Sequence, residues 1–184
     1  TTPTGTGVGS ISDPANLSTA ISQALAGDLL KLSTGVYNLD APLLLKDSVT
    51  IEGGFESGSN WVKTSLAEAT VLYRTTANPE NYGGNYALTA VYATANRGFR
   101  VQDLTIRTAD ANISGMSTYG LHLSSCQDYE FVRCIIDAGL AATGADGTTP
   151  LGTGGAGGGG SGGSGGGANQ GCDANGYPGQ IGIA

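Results

Sequence analysis

The chain has 184 residues, enough for one domain with a packed core and too few for two comfortable ones. Eight Lys and Arg against fifteen Asp and Glu leave a net charge of −7 with no basic stripe to neutralise phosphates, which argues against nucleic acid and anionic membrane surfaces as partners. Only 12% of residues are charged and 39% are hydrophobic, and no apolar run approaches the roughly 20 residues of a spanning helix, so neither a disordered acidic tail nor membrane insertion is expected.

Residues 1–12, opening "TTPTGTGVGS", read as an extended segment. They carry no initiator Met, basic stretch or apolar leader, as in a mature, processed or partial chain. Residues 13–27, "DPANLSTAISQALAG", place Leu17, Ile21 and Leu25 on one stripe of a short helix. Asp13 or Asn16 suits its N-cap, Pro14 its first turn and Gly27 its left-handed end.

From there to residue 150 the period falls to two, in bursts at 29–32, 36–39, 43–45, 49–53, 70–74, 88–94, 99–107, 119–123 and 129–137. Gly, Asn, Asp and Ser separate them, and no helix intervenes, so the chain is expected to be all-β. An internal repeat sharpens this expectation. "TAVYATANRGFRVQDLTIRTA" (89–109) aligns with "YGLHLSSCQDYEFVRCIIDAG" (119–139) at an offset of thirty, as from Phe99 to Tyr129. Val91 then lies over Leu121, Val101 over Phe131, Leu104 over Cys134 and Ile106 over Ile136. At the same offset Arg100 meets Glu130, Asp103 meets Arg133 and Arg107 meets Asp137, three opposite-charge pairs of the kind that stacked parallel coils would place one above another. Residues 151–184 are a Gly-rich insertion or linker around "GGGGSGGSGGG", unable to form a core of their own.

The order of an amphipathic helix, then "GDLLKLSTGVYNLDAPLLLKDSVTIEGGF", then coils such as "YGLHLSSCQDYEFVRCIIDAG", resembles right-handed parallel β-helix proteins with the pectate-lyase-like fold. The stretch "IEGGFESGSNWVKTSLAEATVLYRT" (51–75) is similar to large secreted surface proteins of Bacteroidota exported by the type IX route. The resemblance implies a β-solenoid with residues 13–27 as its N-terminal cap. It also implies a secreted, extracellular or cell-surface location, and an open end continued by further coils of the same chain or covered in a homo-oligomer. The fold serves enzymes, adhesins and passive stalks alike, so activity has to be argued from residues.

His122, Cys126 and Cys134 lie within sixteen positions. A zinc site needs about four convergent ligands, whereas alternation puts His122 outward above Tyr92 and Cys134 inward in the Leu104 ladder, so no metal is expected there. Cys126 aligns with Asn96 at a turn; it is either a buried stand-in for that Asn or half of a disulfide to Cys172. Asp173 and Asn175 in "CDANGYPG" suggest calcium, but the closing Glu of a calcium loop is missing, so the expectation is no cofactor, with calcium at this loop as the alternative.

A polysaccharide lyase or hydrolase would need a carboxylate pair, or Arg and Lys beside acidic calcium ligands, on one outward face. The six charged residues 100, 103, 107, 130, 133 and 137 are accounted for by pairing with each other. The expected function is therefore a structural or adhesive cell-surface protein, a rigid rod or filament subunit without catalysis. The alternative is a carbohydrate-active or carbohydrate-binding protein, with Tyr92, Tyr119 and His122 as the outward residues for contact with a cell-surface glycan.

Overall fold

The computed structural model describes residues 1–64 and 67–145. Its one α-helix, α1, spans Leu17–Gln23. The side chain of Asn16 caps it by accepting the Thr19 N–H at 2.8 Å, which decides between the two candidate caps. The helix stops at Ala24, and Lys46 Nζ donates to the carbonyls of Ser22 and Ala24, placing a cation on the negative end of the helix. Leu25 falls beyond it and is exposed.

The strands in chain order are β1 (Leu29–Ser33), β2 (Gly35–Leu39), β3 (Leu43–Leu44), β4 (Thr50–Glu56), β5 (Val62–Lys63), β6 (Thr70–Arg74) and β7 (Glu80–Tyr82). They continue as β8 (Asn85–Thr94), β9 (Arg100–Gln102), β10 (Thr105–Thr108), β11 (Ser117–Ser124), β12 (Glu130–Val132) and β13 (Ile135–Asp137). They form three sheets, in the orders β1-β4-β9-β12, β13-β10-β6-β2 and β11-β8-β3. Pairing along each order is parallel, whereas β5 joins β4 and β7 joins β8 in antiparallel fashion.

The expectation of a right-handed parallel β-helix is corrected by this arrangement. Two of the three sheets are mixed, and no solenoid repeat is detected among the described residues. Along the first sheet, Leu29 pairs with Thr50, Thr50 with Arg100 and Arg100 with Glu130, steps of 21, 50 and 30 residues. The thirty-residue offset seen in the sequence relates only the last pair of strands in each sheet. Elsewhere the chain leaves the parallel path to build β5 and β7, and those excursions take up the unequal lengths. The described residues are thus mainly β, with parallel and mixed sheets and one short helix.

The two long bursts at 99–107 and 129–137 each break into two strands. Asp103 and Arg133 sit at the breaks with φ of 55° and 50°, left-handed residues that turn the chain from one sheet to the next. Inside, Leu32, Ile51, Leu72, Val91, Val101 and Ile106 come from all three sheets into one core, each 1% exposed or less. Full burial of each such side chain stabilises by about 1.5–3 kcal/mol. No helix among the described residues is long and apolar enough to cross a membrane.

Candidate functional site

Two outward surfaces carry the polar and aromatic chemistry. The first runs along β4, β9 and β12, round the corners at Asp103 and Arg133, and onto β10 and β13. Register places Arg100 beside Glu130 and Arg107 beside Asp137, and both pairs form ion pairs, the second at 2.8 Å between Arg107 Nε and Asp137 Oδ2. Both are about half exposed, so each contributes well under ~1 kcal/mol.

The corner pair is different. Asp103 is 1% exposed, and Arg133 grips it with two parallel hydrogen bonds, Nε to Oδ1 and Nη2 to Oδ2, the latter at 2.7 Å. Lys63, brought in by β5, adds a second cation on Asp103 and also pairs with Glu52. Hydrogen bonding from Arg133, helped by Lys63, holds the Asp103 carboxyl down to about 2 against the desolvation that would raise it. A carboxylate kept ionised and bonded on both oxygens is a poor proton donor or acceptor at neutral pH. Lys63 and Glu52 were not visible as partners in the sequence, because β5 is a two-residue antiparallel excursion with no alternation to announce it.

The second surface is built by β7, β8 and β11. The sequence "ENYGGNYA" folds into a hairpin in which Glu80 pairs with Ala87, Asn81 with Tyr86 and Tyr82 with Asn85. Gly83 and Gly84, with φ of 67° and 95°, make its two-residue turn, a backbone path that needs glycine. Two glycines between short polar-aromatic runs are a hairpin signature, the signal by which Tyr82 and Tyr86 could have been found.

The hairpin is anchored from below by Arg74, whose side chain is 0% exposed. Its Nε donates to Thr89 O at 3.2 Å, Nη1 to Ala77 O at 2.6 Å, and Nη2 to Asn78 O and Glu80 Oε1, both at 2.8 Å. Glu80 Oε2 in turn accepts the Thr89 N–H at 2.8 Å. A buried guanidinium with its donors satisfied fixes the loop that leads into the hairpin.

The anchored hairpin and β11 enclose a groove of about 340 Å³, whose walls include Tyr82, Asn85, Tyr86, Ser117, Tyr119 and His122. Tyr82 and Tyr119 are 60% and 45% exposed. The His122 ring meets Tyr92 edge-on at 5.1 Å and Tyr119 at 6.1 Å, so the three residues singled out in the sequence gather on this face, Tyr119 and His122 lining the groove and Tyr92 touching it through His122.

The remaining candidates are scattered. Cys134 is half-buried against the core, with Sγ 3.4 Å from Val101 O, and burial pushes its thiol pKa up, the opposite of a reactive thiolate. Cys126 packs partly against the core at its turn, next to Ser124 O at 3.5 Å. Its proposed partner Cys172, with Asp173, Asn175 and the Gly-rich segment, lies outside the described residues. Among the described residues no three His, Cys, Asp or Glu side chains converge as a metal site.

No family model, curated protein or solved structure matches the chain.

Proposed function

We propose that this protein is a non-catalytic adhesive element of a bacterial cell surface, holding on to its target through the aromatic groove. The observation that carries this reading is the groove itself: aromatic and uncharged polar side chains gathered on an anchored hairpin and open to solvent. The charged residues support the same reading, because Arg100, Asp103, Arg107, Glu130, Arg133 and Asp137 bond each other across strands. The surface location rests on a composition rich in Gly with few Lys, and on the resemblance of residues 51–75 to exported surface proteins.

The test is to coat beads with the chain, measure their retention on bacterial and host cell surfaces, and assay the supernatant for released sugar fragments. Retention without fragments is expected. Fragments released by the parent chain and lost with Asp103→Asn, which keeps the left-handed corner, while the variant stays folded, would replace adhesion by catalysis.

A further inference from the structure

We propose that the groove between the β7–β8 hairpin and β11 binds uncharged pyranose glycans. This rests on the adhesive reading and names the class of its ligand.

A pyranose ring has a C–H face that is effectively apolar and a rim of hydroxyls that both donate and accept. The groove offers the matching surfaces. Tyr82 and Tyr119 present exposed ring area, and aromatic rings provide a large rigid apolar contact with a polar tip. The Asn85 amide, Ser117 hydroxyl, His122 imidazole and tyrosine phenols supply donors and acceptors along the same walls. Among the described residues no Lys, Arg, Asp or Glu lines the groove. A uronate or sulfated chain would find no counter-cation there, and would meet a protein of net charge −7. The described lining residues also hold no carboxylate pair of the kind glycoside hydrolysis needs, so a bound sugar is held and not cleaved.

Affinity depends on how much ordering binding demands. Here the hairpin is already fixed by Arg74 and Glu80, and its turn by the Asn81 side chain, whose Oδ1 accepts the Gly84 N–H at 2.8 Å. A cluster of tyrosines also attracts quaternary ammonium groups. That ligand usually calls for a negative partner at the site, which this groove lacks among its lining residues.

The experiment is isothermal titration of the 184-residue chain with a soluble glucan, mannan and xylan, alongside polygalacturonate and choline. At least one neutral glycan is expected to bind. Tyr82→Ala and Tyr119→Ala should each weaken it about tenfold, while thermal unfolding stays unchanged because both side chains are solvent-facing. Polygalacturonate and choline are expected to give no heat. Binding of either of those in place of the neutral glycans, no neutral-glycan binding at all, or an affinity in both variants unchanged from that of the parent chain would overturn the proposal. The bead assay separates this from the adhesive reading. If Tyr82→Ala abolishes retention while no neutral glycan binds, the ligand class is wrong and adhesion stands. If neither variant changes retention, adhesion through this groove is wrong as well.

Discussion

Arg133 reaches back thirty residues to hold both carboxylate oxygens of Asp103, and the two residues occupy equivalent left-handed corners of adjacent strands. Because Asp103 is buried and ionised, the pair links corner geometry to charge. The folded-state pKa of Asp103 lies below its unfolded value, so ionisation favours folding. That stability is fully present above about pH 4 and is lost as pH falls toward about 2, on the order of 2 kcal/mol. Asn tolerates the left-handed corner, so Asp103→Asn removes the charge without forcing the backbone. Urea unfolding at pH 6 should show the variant less stable by about 2 kcal/mol, with the gap closing by pH 2. A gap independent of pH would mean that the carboxylate acts through packing alone.

Arg74 should matter more than any exposed charge. Arg74→Met leaves the Glu80 carboxylate and the carbonyls of Ala77 and Asn78 without their shared donor. Breaking a buried pair from one side costs about 3–5 kcal/mol. Denaturant unfolding should show a loss of that order, and amide exchange should accelerate at Tyr82 and Tyr86 first. Uniform exchange across all three sheets would contradict a local anchoring role.

The exposed ladder pair gives the opposite expectation. A double-mutant cycle on Arg107→Ala and Asp137→Ala should yield a coupling well under ~1 kcal/mol that fades with added salt, since both side chains are about half exposed. A salt-insensitive coupling above that value would show the pair to be a principal support of the sheet.

Close packing at the corner is tested at Gly53. A Cβ there would come within 2.5 Å of Asp103 O and 2.9 Å of Thr70 Cβ, so Gly53→Ala requires backbone movement and should cost about 1–3 kcal/mol. Gly58, where a Cβ would meet nothing within 4 Å, is the control, and Gly58→Ala should be close to neutral. Equal melting temperatures for the two variants would show that the β4–β9 contact is looser than drawn.

The thirty-residue register between β8 and β11, β9 and β12, and β10 and β13 was legible because no insertion separates those strands, so apolar and charged positions kept step. Extending that step to the whole chain failed where β5 and β7 leave the path. Two- and three-residue antiparallel strands carry too little alternation to be seen. The corners at Asp103 and Arg133 were hidden for another reason. Left-handed positions are usually marked by Gly, Asn or Asp, but Asp103 sits inside a strand-like alternation and Arg133 is an unusual choice that accompanies their ion pair. Tyr119 and His122 could be placed on an outward face, but the groove needs Tyr82 and Tyr86, which only the hairpin turn at Gly83–Gly84 brings beside them. Arg74 read as the end of a strand, because nothing local says that a guanidinium will be buried under a loop six residues further on.

The proposed ligand of the groove, a neutral sugar held without cleavage, is open to direct measurement. The most direct measurement is a heteronuclear NMR titration of the chain with the neutral oligosaccharide that binds best, followed by analysis of the recovered sugar. Shifts are expected to concentrate at Tyr82, Asn85, Tyr86, Tyr119 and His122, with the sugar recovered intact. Shifts concentrated instead at Arg100, Asp103, Glu130 and Arg133, or a shortened sugar, would contradict the proposal.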